Sequence, residues 1–318
     1  MEKWRQIQKG NFTRLEDLAN FLELDLNEIA KASFPLNFPF RLAQKVEKGD
    51  LKDPILLQFL PRKEEHLKTL GFTKDPVNDC SFQKTPRLLQ KYEGRALLIT
   101  TSACVMNCRF CFRQNYPYDS RGQFKEELEA LKNDPSIHEV ILSGGDPLSL
   151  SDVVLINLIE AIDEIPHIKL LRFHSRFPLG IPERITPALI KCLKKMRMQG
   201  IFILHTNHPK ELDDAVFASL KSLEIPILTQ TVLLRGINDD HQTLKELFLK
   251  LAFQGIIPYY LHQLDKVDGA SHFEVPIEVG KKLVSELQNT LPGYAVPTYV
   301  QEVPFDKCKT RITSGPLS

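Results

Sequence analysis

The sequence predicts an α/β protein built on a parallel sheet that closes, or partly closes, into a barrel. Two observations carry this expectation. From Arg95 onward, short apolar runs rich in β-formers alternate with longer amphipathic stretches, which is the pattern of βαβ units. The polar residues that interrupt the pattern sit just after those runs, where a parallel barrel gathers its strand ends on one face.

Taken in chain order, the strand candidates are ALLIT (96–100), HEVILS (138–143), IKLLRF (168–173), IFILH (201–205), IPILTQT (225–231), IIPYYL (256–261) and, more weakly, VPTYV (296–300). Helix candidates lie between most of them. These are EELEALKND (126–134), DVVLINLIEAIDEI (152–165), TPALIKCLKKMRM (186–198), ELDDAVFASLKSL (211–223) and HQTLKELFLKLAFQ (241–254). Ahead of this region, RLEDLANFLEL (14–24) and LNEIAKASF (26–34) have helical spacing, whereas residues 35–61 are interrupted too often by proline for long elements. The chain is therefore expected to divide into a helical and irregular extension over residues 1–90 and a barrel over 91–318.

Composition narrows the class. Hydrophobic residues at 42% and charged residues at 25% suit a globular protein with a large core. A formal net charge of +1 gives no bulk field to attract nucleic acid or an anionic membrane. No apolar run approaches the roughly 20 residues that span a bilayer. The start, MEKWRQIQKGNF, has no signal-peptide core, so a cytoplasmic location is expected. In that reducing setting a cysteine cluster points to metal or catalysis rather than crosslinks. The oligomeric state is left open.

Such a cluster follows the first strand. SACVMNCRFCFRQNY places Cys104, Cys108 and Cys111 in a Cys-x3-Cys-x2-Cys spacing. Three thiols are one short of a closed zinc site, and the nearest histidine, His138, lies beyond a helix. An iron–sulfur cluster on three thiolates would keep one iron open to another ligand. Cys80, Cys192 and Cys308 stand apart and are expected to be incidental thiols. After HEVIL comes Ser143-Gly144-Gly145-Asp146, where glycines allow close approach to the backbone and Asp146 could simply cap the next helix. His174-Ser175-Arg176, His205 to His208, Gln230 and His262 to Asp265 occupy the other strand ends.

The cysteine loop resembles that of the radical S-adenosylmethionine (SAM) superfamily, and the fold implied is that superfamily's partial (β/α) barrel. CVMNCRFCFRQNYPY, SGGDPL, HSRFPLGIPERIT, HTNHPKE, TQTVLLRGIND and PYYLHQLDKVDGASHF together resemble the lysine 2,3-aminomutase family, over roughly residues 80–310. The likeness is closest to its short branch, which makes (R)-β-lysine for elongation factor P, and the sequence stops where the longer branch continues into a zinc-binding extension. The resemblance implies an isomerase that moves an amino group from Cα to Cβ of L-lysine. It also implies a [4Fe–4S] cluster, SAM and pyridoxal phosphate (PLP), with an external electron donor and a pathway link to a lysyl-tRNA-synthetase-like ligase.

Position by position, it implies that Cys104, Cys108 and Cys111 hold the cluster. SAM falls to Ser143, Gly144, Gly145, Asp146, His205 and Gln230. Arg95 would clasp the PLP phosphate, and Arg113 the substrate carboxylate. Asp265 and Glu302 would hold the ε-ammonium, with Glu302 standing where the family has aspartate. Lys309 is the expected PLP lysine and Lys307 its competitor, because Phe305, Asp306, Lys307 and Cys308 replace a glycine run of the longer branch. That departure keeps two alternatives open: a radical SAM enzyme with an altered substrate or lost PLP step, and a non-catalytic iron–sulfur or zinc protein.

Overall fold

The computed structural model describes residues 2–28, 34–119 and 123–313. In chain order the elements are α1 (Lys3–Gln8), α2 (Leu15–Leu22), α3 (Phe40–Ala43), β1 (Gln83–Thr85), β2 (Leu88–Tyr92), β3 (Arg95–Thr101), α4 (Lys125–Asn133), β4 (Glu139–Gly144), α5 (Asp152–Asp163) and β5 (Leu170–Ser175). They continue with α6 (Phe177–Gly180), α7 (Pro187–Lys195), β6 (Gln199–His205), α8 (Asp214–Lys221), β7 (Ile227–Val232), α9 (His241–Ala252), β8 (Ile257–His262), α10 (Ile277–Thr290), β9 (Thr298–Gln301) and β10 (Thr310–Arg311).

The ten strands form one open sheet in sequential order. β3 to β9 are parallel, and their neighbours at the two edges, β1, β2 and β10, are antiparallel. This is the partial barrel that the seven apolar runs predict. Four of the crossover helices start where a polar side chain satisfies an otherwise unpaired N–H. Ser151, Thr186, Asp213 and Asp240 cap α5, α7, α8 and α9 in this way.

Three differences from the sequence reading are instructive. Helix α10 was not among the candidates, since its buried face includes Gly280. A side chain there would collide with the Tyr299 hydroxyl, 2.2 Å from the added carbon. Of LNEIAKASF, only a 3-10 turn at Leu26–Glu28 belongs to the described helical residues, and residues 29–33 lie outside the described set. Finally, β2 runs across the expected division at residue 90. Trp4, Leu22, Phe38 and Phe59 share one apolar core with Leu98, Val140 and Phe173 of the sheet. Among the described residues, no helix is long and apolar enough to cross a membrane.

Candidate active site

A cavity of about 440 Å³ opens at the C-terminal ends of the parallel strands. All fourteen residues singled out from the sequence for the cluster, SAM, PLP and substrate line it. Lys307 does not; it is exposed, whereas Lys309 is half-buried. Cys308 reaches the cavity rim although it is largely exposed. Cys80 is exposed and Cys192 buried, both away from the cavity.

The cysteine loop is fixed by backbone contacts. Gly145 N donates to Thr101 O at 2.6 Å and Asp146 N to Ala103 O at 2.9 Å. The glycine pair is needed because the loop itself packs against it. A Cβ on Gly145 would stand 2.3 Å from Ala103 O, and Gly144 adopts φ +119°. The close approach expected of a ligand is thus made first by the protein's own backbone. On the other side, Asn37 Nδ2 donates to Cys104 O at 2.9 Å and Asn11 Nδ2 to Val105 O at 2.8 Å. Arg109 N donates to Gln58 O at 2.9 Å. The N-terminal segment, irregular as it is, holds the loop from beneath.

All three thiols are free. Burial raises each above its ordinary pKa, Cys111 to about 11, with Asp146 and then the neighbouring thiols adding to the effect on Cys104, and Cys108 adding to that on Cys111. Burial thus opposes thiolate formation here, and positive charge close to the sulfurs favours it. Among the described residues, no three Cys, His, Asp or Glu groups converge on a single-ion position. Asp146 has its carboxylate engaged within the protein. It accepts from Ser175 Oγ (2.9 Å to each oxygen), Leu148 N (2.9 Å), Arg176 N (2.8 Å) and Phe177 N (3.1 Å).

His205 and Gln230 face each other across β6 and β7. Burial and then Arg176 lower the His205 pKa to about 3, so the ring is neutral. Its Nε2 lies 3.2 Å from Asn207 Oδ1. His174 and His262, which also end strands, are held neutral chiefly by burial and then by nearby cations. The Nε2 atom of each is buried with no hydrogen-bond partner among the described residues. Unsatisfied buried nitrogens of this kind suit a polar ligand in the cavity. The strand-end rule had marked both positions without assigning them a task.

The opposite end of the cavity is a chain of charges. Arg113 Nε donates to Asp79 Oδ2 at 2.7 Å and its Nη1 to Ser143 Oγ at 3.1 Å; its Nη2 has no protein partner among the described residues. Lys91 bridges Asp79 at 2.8 Å and Glu302 at 3.7 Å. Glu302 accepts from Tyr92 Oη at 2.5 Å and pairs closely with Lys309 Nζ. Although burial pushes Glu302 up, Lys309 and its hydrogen bonds hold its pKa below the usual range. Asp265 has no such partner among the described residues. Burial, with Glu302 adding to it and Lys309 opposing, lifts its pKa to about 7. Arg95 stacks over Tyr92, 4.6 Å from the ring centre, and makes no ion pair among the described residues. Asp79 and Lys91 escaped the sequence reading, since they fall in the segment taken as irregular lead-in and at its edge.

The donor set fits a cluster and two polar cofactors: three free thiols, a guanidinium and two imidazole nitrogens without partners among the described residues, and a lysine amine, all facing one cavity. Comparison with known proteins agrees. Residues 98–207 match the family model of the radical SAM superfamily. The chain is 38% identical over 322 residues to the L-lysine 2,3-aminomutase of Escherichia coli (strain K12), covering 97% of this chain and 94% of that one. It is 39% identical over 322 residues to the L-lysine 2,3-aminomutase of Haemophilus influenzae, covering 97% and 95%. Among solved structures it is similar to that of Streptococcus suis SuiB, with a TM-score of 0.50 and 13% identity over 67% of this chain and 50% of that one. This last likeness is one of fold.

Proposed function

This chain belongs to the lysine 2,3-aminomutase family of radical SAM isomerases, and we propose that it converts L-α-lysine to (R)-β-lysine destined for elongation factor P. Its cofactors are a [4Fe–4S] cluster, SAM and PLP. When bound, the cluster and SAM supply the radical that removes a hydrogen, and PLP supplies the carrier for the migrating amino group. The protein's part is to position, to exclude water and to balance charge.

In this reading Cys104, Cys108 and Cys111 hold the cluster and leave one iron without a protein ligand. Ser143, His205 and Gln230 face SAM. Gly144, Gly145 and Asp146 act on it through the shape they impose on the cysteine loop and on the end of β5. Arg95, which makes no ion pair among the described residues, is the cation for the PLP phosphate, and Lys309 is the amine that engages PLP. Arg113, already oriented by Asp79, turns its remaining N–H donors toward a carboxylate. Asp265 awaits an ammonium. Glu302 pairs with Lys309 here, and loss of that lysine's charge would release the carboxylate to join Asp265 around the substrate cation. Reduced thiols at a cluster site suit the cytoplasm, and an external one-electron donor completes the requirement.

The observation that carries the reading is the convergence of the thiols, the Arg95 cation, Asp265 and Lys309 on one cavity. The test is anaerobic reconstitution followed by incubation with L-lysine, SAM, PLP and dithionite, with chiral analysis of the product. (R)-β-Lysine is expected, and a strain lacking the enzyme should carry elongation factor P without β-lysine. Formation of 5′-deoxyadenosine without β-lysine would keep the cluster assignment and overturn the substrate. The pairing of Glu302 with Lys309 is the feature that would then point to a different amino acid.

A further inference from the structure

We propose that Arg176, balanced by Glu211, sets the reduction potential of the cluster; the proposal rests on the reading that Cys104, Cys108 and Cys111 hold one. Arg176 follows β5 directly and is buried. Its Nη1 donates to Cys108 Sγ at 2.8 Å. Its Nη2 donates to Glu211 Oε1 at 2.7 Å and to Gln58 Oε1 at 2.6 Å. Glu211 is fully buried. It also accepts from Gln58 Nε2 at 2.8 Å, Thr206 Oγ1 at 2.7 Å and Asn207 N at 3.0 Å. A thiol that is to serve as a cluster ligand thus has a guanidinium against it, and that guanidinium has its own counter-charge on the far side.

The arrangement has consequences for electron affinity. Reduction adds one negative charge to a cluster and its thiolates. An N–H donated to a ligand sulfur stabilises the reduced form more than the oxidised one, raising the potential. A full positive charge on the donor strengthens this effect in a buried site, where screening is weak. Glu211 works the other way: its negative charge cancels much of the guanidinium's field at the cluster. Arg176 is therefore a positioning residue with an electrostatic output, and Glu211 limits that output. Gln58 bonds to both partners and holds them in register, which gives the N-terminal segment a direct part in tuning the site.

The two residues make opposite demands on one measurement. Neutralising Arg176 removes the stabilising charge, so Arg176→Gln should lower the midpoint. Neutralising Glu211 exposes the guanidinium's charge, so Glu211→Gln should raise it. A role confined to folding would lower cluster content in both variants without moving the midpoint of the clusters that remain, or would move both midpoints the same way.

The experiment is an EPR-monitored redox titration of the anaerobically reconstituted protein without SAM or lysine. Wild type, Arg176→Gln, Arg176→Lys and Glu211→Gln are compared. At a fixed potential the reduced-to-oxidised ratio should fall about tenfold in Arg176→Gln and rise in Glu211→Gln, a tenfold ratio being about 59 mV for a one-electron couple. Arg176→Lys, which keeps the charge and loses the planar fork, should fall between wild type and the glutamine variant. Midpoints that stay with wild type, or that move together, overturn the proposal. Should Arg176→Gln fail to load a cluster, the sign of the Glu211→Gln shift decides. Absence of a [4Fe–4S] signal in the wild type itself would overturn the cluster reading instead, so the two failures are distinguishable.

Discussion

The two ends of the cavity are held by different kinds of force. At the cysteine end, Thr101, Ala103, Cys104 and Val105 offer backbone carbonyls to Gly145, Asp146, Asn37 and Asn11. At the lysine end, positions are set by side-chain charges: Glu302 with Lys309, Tyr92 and Lys91, and Asp79 with Lys91 and Arg113. The chain there passes through exposed residues 305–308, with Phe305 in the left-handed region at φ 69°. Amide contacts keep their geometry whatever the protonation state of their neighbours, so they suit a loop that must hold three thiols at fixed separations. Ion pairs exchange partners when a charged ligand enters. The site is thus held by backbone contacts where the proposed cluster ligands lie and by exchangeable charges where lysine and PLP are expected.

The largest effects should come from the rigid end. Cys108→Ala removes one proposed cluster ligand without touching the clamp, so iron loading and SAM cleavage should vanish while circular dichroism and melting temperature stay near wild type. Gly145→Ala attacks the clamp itself, because the new methyl would meet Ala103 O. It should cost about 2 kcal/mol or more in stability and lower iron content together. SAM cleavage surviving in Cys108→Ala, or an unaffected melting temperature in Gly145→Ala, would break the comparison at its stronger side.

The rigid end was also the more legible in the sequence, though only in part. Cys-x3-Cys-x2-Cys is local, and the strand rhythm places it at the mouth of a barrel. The clamp is not local. Asn37 and Gln58 act on a loop some fifty to seventy residues away, from a proline-broken segment that carries no periodicity. Asp79, in the same kind of segment, is recognisable only once folding places it between Lys91 and Arg113. Gly280 hid α10 because the reason for the glycine, the Tyr299 hydroxyl, lies on β9. What could be read were patterns with a period and ligands with a spacing. What could not were single polar residues whose partners are set by tertiary contact.

An intermediate effect is expected from the lysine that reaches the cavity. Lys309→Ala should abolish PLP absorbance and aminomutase turnover while SAM cleavage by the reduced cluster continues, since the hydrogen bond and ion pair of Lys309 go to Glu302 rather than to the cysteines. Lys307→Ala, at an exposed position, should bind PLP as the wild type does. The pair sharpens the comparison, because it asks whether the adjustable end can be dismantled without disturbing the rigid one. Loss of iron along with PLP in Lys309→Ala would show that the two ends are coupled.

The smallest effect should be a pH dependence centred on Asp265, an acid with no ion-pair partner among the described residues. Its pKa is raised to about 7 in the folded chain, chiefly by burial, from an ordinary value of 3.8. Below pH 4 both folded and unfolded chains are protonated there and the group contributes nothing. Between pH 4 and 7 the unfolded chain releases the proton first, so stability falls as pH rises, and above 7 the penalty is complete. Asp265→Asn should therefore be the more stable protein at pH 8, by on the order of 2 kcal/mol after allowing for partial exposure, and the gain should shrink toward pH 5. Lysine binding has the complementary dependence, because an arriving ammonium favours the ionised carboxylate. Its apparent affinity, read from a ligand-induced melting shift in PLP-loaded protein, should tighten as pH rises to 7 and then level off. In Asp265→Asn that slope should disappear while PLP binding is retained. A slope that survives the substitution would assign the titration to another group, and with it the role of ammonium partner.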